Sequence, residues 1–174
     1  DVSAWKKIDE VPFDFERRRV SVLLDKGNSR ILVVKGASEE IIGLCTHYEE
    51  QGNAAQLTLD KASQDRIHNE HNALEKEGFR VLGIAWRTVP QDHSDAVIGD
   101  ESDLVFAGFA GFLDPPKASA GTALAALKDW GVTVKIVTGD SELVTQHVCA
   151  ELNIPVTGVL TGKEIAQMDD SALR

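Results

Sequence analysis

The sequence predicts an α+β chain in two parts: an antiparallel sheet with flanking helices, followed by a partial α/β segment with a parallel sheet. Three observations predict it. Up to about residue 110, strand patterns neighbour strand patterns with two helices interspersed. At "DPPK", residues 114–117, two consecutive prolines end a strand and stiffen the chain. Beyond them helical and apolar strand patterns alternate, which is the order of a parallel sheet. The boundary between residues 1–110 and 118–174 therefore falls in 111–117.

The elements follow in order. Arg18–Leu24 and Arg30–Lys35 are β-branched and aliphatic and flank "DKGNS", a hairpin with Gly27 or Asn28 at positive φ. "GASEEIIGLCTHY" reads as a helix, with Ser38 as N-cap and Glu39 and Glu40 in the first turn. "EEQGNAAQLTLD" reads as a second hairpin. A polar helix runs from Lys61 to Lys76, with Gly78 as its stop. Residues 79–89 and 103–114 are long strand patterns around a polar insertion. After the prolines come a helix over Ser119–Trp130, a strand over Val132–Val137 and a helix over Glu142–Leu152. A strand near Val156–Leu160 and a helix from Lys163 complete the series.

Composition narrows the function. The formal net charge of −10 argues against a nucleic-acid partner, because a phosphate backbone needs a basic footprint. The longest uncharged apolar stretch, Val105–Leu113, falls far short of the ~20 residues of a spanning helix, so no direct membrane insertion is expected. Cys45 and Cys149 lie in helix-like segments without metal-ligand spacing and read as free thiols in a reducing compartment, with a disulfide as the alternative.

Against this acidic background, "VPFDFERRRVSVLL" places three arginines beside two phenylalanines. Strand alternation puts Arg18 on the face of Val20 and Val22, while Arg17 and Arg19 share the other face with Ser21. If the first face lines a cavity, Arg18 stands at its mouth and Phe13 can stack on a base; otherwise Phe13 is a core residue. Lys35, where a strand meets Gly36 and a helix start, can contact a phosphate or sit solvated at a strand end. In "VTVKIVTGD", Thr138, Gly139 and Asp140 turn from a strand into a helix, the place where open α/β sheets bind ligands. Asp140 there can hold Mg²⁺ or a water facing a phosphate; alternatively, Asp140 or Ser141 simply caps the helix.

Other patterns fail. "GVLTGKE" is one residue too short for a phosphate loop and has Glu164 in place of the required Ser or Thr. His68 and His71, three apart, read as a polar helix face rather than a metal clip. No serine elbow or cysteine–histidine motif is found.

In order and spacing, "PFDFERRRVSV", "VVKGASEEIIGLCTH", "LGIAWR", "GFLDPPK" and "VTVKIVTGDS" resemble the P-type cation-transporting ATPases over nearly the whole chain. The run "FDFERRRVSV" looks most like the bacterial magnesium-transporting branch. The resemblance implies an ATP-binding domain over 1–110, a hinge over 111–117 that includes Asp114 and Lys117, and a partial, haloacid dehalogenase-like phosphorylation domain over 118–174. It implies that Phe13 stacks on adenine, that Arg18 takes the place of a basic pocket residue, and that Lys35 and Gly36 lie deep in the nucleotide pocket. Arg87 matches an arginine that bridges toward the phosphates, and Thr138, Gly139 and Asp140 match the "TGD" near the phosphorylated aspartate. Arg17 and Arg19 are then expected to be plain surface charges.

ATP and Mg²⁺ are the implied cofactors, with no protein metal site in this chain. The remaining phosphorylation, actuator and membrane domains of a transporter at the cytoplasmic face of the inner membrane are the implied partners. "DKTGT", with the aspartate that family phosphorylates, is absent, as is "GDGxND". Ser141 stands where many relatives have asparagine, and the acidic residue usual upstream of Phe13 is unassigned. The chain then reads as a fragment that binds ATP without turning it over. Two rivals remain: an aspartate-nucleophile phosphatase, for which a strand-end nucleophile motif is missing, and a non-catalytic regulatory module.

Overall fold

The computed structural model describes residues 2–50, 53–169 and 171–172. The chain divides into two compact units, one of residues 1–71 and 81–112, the other of 72–80 and 113–174.

The first unit is built on a seven-stranded sheet in the order β1-β2-β3-β6-β7-β4-β5. Its strands are β1 (Lys6–Asp14), β2 (Arg19–Lys26), β3 (Ser29–Ala37), β4 (Cys45–Glu50), β5 (Asn53–Thr58), β6 (Phe79–Thr88) and β7 (Leu104–Leu113). The β2–β3 hairpin turns at Gly27, whose φ of 64° is the positive value anticipated for that loop. β3 pairs in turn with β6, and all these neighbours are antiparallel. One pair departs from the expected arrangement: β4 runs parallel to β7. The second hairpin forms as β4 and β5, and its turn at 51–52 lies outside the described residues.

Two helices cover one face. α1 (Ser38–Gly43) and α2 (Lys61–Lys76) contribute Ile41, Ile42 and Ile67 to a core with Leu23, Leu32, Val34, Ala85 and Leu104. Gly83 suits the close approach of α1 to the sheet, because a Cβ there would stand 3.0 Å from Ile41 Cβ, a tight contact. Alternation leaves Val20, Val22, Ile31, Val33, Ile84 and Trp86 on the opposite, half-exposed face.

Three local expectations are corrected. The helix from Ser38 stops at Gly43, and the next residues form β4, because β7 offers Cys45–Tyr48 a pairing edge. Ser38 does not cap that helix: it is buried, and its hydroxyl donates to the Val81 carbonyl. β1 has no counterpart among the expected elements; its charged, proline-containing sequence is that of an edge strand, half of whose groups meet water.

The second unit contains α3 (Ala120–Asp129), α4 (Glu142–Glu151) and α5 (Gly162–Ile165). The parallel sheet anticipated for 118–174 is not seen among the described residues: Val132–Val137 and Val156–Leu160 form no strand. A strand exists only by pairing, and these segments have no paired neighbour among the described residues. The hydrophobic side chains buried in this unit are Val144 and Cys149, whereas Val137 is 97% exposed.

Candidate functional site

The arginine run does not continue the strand. Residues 15–18 form a turn between β1 and β2, and Arg18 closes it in the left-handed region at φ 53°. Two backbone bonds hold that conformation. The Arg18 amide donates to the Asp14 carbonyl at 2.7 Å, and the Arg18 carbonyl accepts from the Ala37 amide at 3.0 Å. Asp14 Oδ1 also accepts the amides of Glu16 and Arg17. The turn is thus fastened to the end of β3, where Lys35 and Gly36 lie.

Gly36 is a consequence of this fastening. A Cβ on it would stand 2.6 Å from Arg19 Cβ and closer still to the Arg18 carbonyl oxygen. Arg19 pairs with Gly36 and Val20 with Lys35, so the turn lies directly over the strand end. Arg18 and Lys35 are both exposed. The register shift between Val11 and Asp14 interrupts the alternation of β1 after buried Val11, and Phe13 is left 54% exposed. Its ring meets that of Phe15 edge-on, with centroids 5.2 Å apart. One sheet end therefore presents an aromatic platform and two exposed cations, Arg18 and Lys35.

The flanking arginines behave differently from expectation. Arg17, in the turn, and Arg19 and Ser21, in β2, converge on one carboxylate, so the two arginines are not plain surface charges. Both pair with Glu101, whose side chain is fully buried. Sequence reading missed Glu101 because "GDESD" sits in a polar insertion and carries no motif.

Arg87 lies on the other face from Lys35: register places Lys35 beside Ile84 and Arg87 beside Leu32. Its guanidinium donates to the Ser102 carbonyl at 2.9 Å, next to Glu101. The insertion is further tied down at Asp100, which accepts from His93 Nε2 at 2.9 Å and from the Val97 amide. Burial pushes its carboxyl up, but the Val97 amide and His93 together hold it below the ordinary carboxylate range.

The second unit gathers the remaining candidates. Arg80 pairs with Asp114 at 3.1 Å and with Asp140 at 3.0 Å, so the "DPPK" and "TGD" carboxylates meet on one guanidinium. Thr138 Oγ1 accepts the Asp140 amide, and Gly139 lies between them with open space where a side chain would project. Ser141 caps α4 through the Val144 amide, so the capping role belongs to Ser141 and leaves Asp140 for Arg80. Arg80, Asp114, Lys117, Thr138 and Asp140 line a cleft of about 320 Å³. Arg80 had no sequence signal beyond opening a strand.

Among the described residues no group of three or more histidine, cysteine or acidic side chains is gathered as a metal site, and no helix is long and apolar enough to cross a membrane. Cys45 and Cys149 are free and buried; Cys45 stands in β4 rather than in a helix, and burial pushes its thiol up to about 12.

Residues 2–119 match the family described as P-type ATPase, cytoplasmic domain N. A magnesium-transporting ATPase, P-type 1, of Salmonella typhimurium is 44% identical over 170 residues, which is 97% of this chain and 19% of that protein. The Escherichia coli K12 protein of the same description is 42% identical over 172 residues, 98% of this chain and 19% of the relative. Calcium-transporting ATPase 1 of Lactococcus lactis is 26% identical over 170 residues, 97% of this chain and 19% of that protein. The chain thus spans about a fifth of the length of these relatives.

Proposed function

The chain belongs to the P-type ATPases, and from that premise we propose that it binds ATP at the end of β3 for a transporter that moves Mg²⁺ across a membrane. The observation that carries the reading is the fastening of the Arg18 turn to the Ala37 amide, which brings exposed Arg18 to the strand end that bears Lys35. Phe13 offers its face to the adenine, and the two cations attract the phosphates. Gly36 lets the backbone come close enough for this. The magnesium branch is supported by the names and identities of the Salmonella and Escherichia relatives.

Residues 111–117 serve as the hinge, and 118–174 belong to a phosphorylation domain whose apolar, unpaired segments are suited to a sheet completed by other strands. The γ-phosphate is passed to an aspartate that is not in this sequence, which contains no Asp-Lys-Thr-Gly. Thr138, Gly139, Asp140 and Asp114 serve that centre, and Mg²⁺ enters with the nucleotide phosphates. Phosphoryl transfer depends on positioning and charge stabilisation, so this chain binds without turnover. Arg87 joins the phosphates only if it leaves the Ser102 carbonyl; in its present place it anchors the insertion. The working location is the cytoplasmic face of the inner membrane.

Isothermal titration of ATP into the wild-type chain, Phe13→Ala and Lys35→Ala tests the reading. Saturable binding is expected, weakened roughly tenfold by Phe13→Ala. Undiminished binding by both variants would refute the site.

A further inference from the structure

Among the described residues Glu101 is the charged residue that is buried, and nothing in the binding surface above makes direct use of it. A carboxylate removed from water is costly unless each oxygen is satisfied. Here both are. Oε1 accepts from Arg17 Nη1 at 2.9 Å and from the Ser21 hydroxyl at 2.9 Å. Oε2 accepts from Arg17 Nη1 at 2.8 Å and from Arg19 Nε at 2.7 Å. Such a node tolerates few geometries, and what it fixes is the pair of residues flanking Arg18.

Arg17 carries the constraint further, because its Nη2 donates to the Pro12 carbonyl at 2.7 Å, immediately before Phe13. Arg19 Nη1 donates to the Arg17 carbonyl at 3.2 Å and ties the two ends of the node together. Between them Arg18 holds a left-handed backbone, which a side-chain-bearing residue keeps only when its surroundings enforce it. Glu101 draws Arg17 and Arg19 inward and leaves Arg18 as the exposed member of the run.

We propose that Glu101 is a positioning residue for the nucleotide pocket, holding Arg17 and Arg19 so that the turn presents Arg18 and Phe13 to ATP. The inference rests on the reading that Phe13, Arg18 and Lys35 take the nucleotide. Glu101 touches no ligand; it acts through the turn.

A double-mutant cycle distinguishes this role from general stability. ATP affinity is measured by calorimetry for the wild-type chain, Glu101→Gln, Arg18→Ala and the double variant, with circular dichroism confirming each fold. Glu101→Gln, which keeps the shape and removes the charge, is expected to weaken binding about tenfold. In the Arg18→Ala background the same change is expected to alter affinity by less than about twofold, because the positioned group is gone. Equal weakening in both backgrounds overturns the inference, as does wild-type affinity in Glu101→Gln. If Glu101→Gln does not fold, Arg17→Lys carries the same cycle with the same outcomes, since lysine keeps the charge but cannot span Glu101 and the Pro12 carbonyl. A wild-type chain that binds no ATP overturns the nucleotide reading and this inference with it; a binding wild type with an unaffected Glu101→Gln overturns this inference alone.

Discussion

Ile31–Val34 in β3 and Val132–Val137 in the second unit have the same kind of sequence, β-branched aliphatics leading toward a turn and a helix. Their surroundings differ. β3 lies between β2 and β6, and its Leu32 and Val34 are fully buried. The second segment pairs with nothing among the described residues, and Ile136 and Val137 face water. A strand is a property of pairs, so similar local preference gives a packed sheet in one place and an exposed segment without a strand in the other.

The largest expected contrast follows directly. Leu32→Ala should cost about 2–5 kcal/mol, the ordinary penalty for a cavity in a packed core. Val137→Ala should change stability by no more than about 0.5 kcal/mol. Urea denaturation followed by tryptophan fluorescence measures both, and a large loss for Val137→Ala would show that the second unit is packed after all.

Glycine sharpens the same comparison. Gly36→Ala forces a Cβ against the Arg18 carbonyl and should cost about 1–3 kcal/mol. At Gly139 and Gly158 an added methyl would meet nothing within 4 Å, so alanine there should leave the melting temperature nearly unchanged. Thermal melts of the three variants decide it.

How much of this is legible in the sequence depends on range. Gly27, α2 with its stop at Gly78, and β6 and β7 are set by local turn chemistry and periodicity, and they form close to where the pattern puts them. β4 reads as helix because what decides it, the β7 edge, lies some 60 residues downstream. At the site, Phe13, Lys35 and Gly36 stand in a quotable run. Glu101 and Arg80 do not: their importance comes entirely from partners far away in the chain, Arg17, Arg19 and Ser21 for one, Asp114 and Asp140 for the other. Alternation brings Arg18 to the right neighbourhood for the wrong local reason, a strand where a left-handed turn stands.

Thiol labelling probes a smaller difference. Both cysteines are buried, but Cys45 belongs to the main core, where burial pushes its thiol up to about 12, so it supplies almost no thiolate at mildly alkaline pH. Cys149 should react faster, through opening of a unit with few buried side chains. Mass spectrometry after timed alkylation of the native chain reads the order; Cys45 reacting first would reverse the ranking.

The smallest effect concerns Asp60, which caps α2. The Ser63 hydroxyl, and then the Ser63 amide, hold its carboxyl below the ordinary value of 3.8. A depressed folded pKa means that its contribution is complete above that ordinary value and disappears as pH falls through the lower folded one. Asp60→Ala should therefore melt below wild type at neutral pH, and the two melting temperatures should converge as the solution is acidified below 3.8. A gap independent of pH would remove the carboxylate's charge from the explanation.

Nucleotide capture at the end of β3 is tested most directly by an ATP titration of the isotopically labelled chain followed by amide resonances. Saturable shifts are expected at residues 13–19 and at Lys35 and Gly36, with Val132–Val137 undisturbed. Shifts absent from the arginine turn and the end of β3, at nucleotide concentrations that saturate any binding, would contradict it.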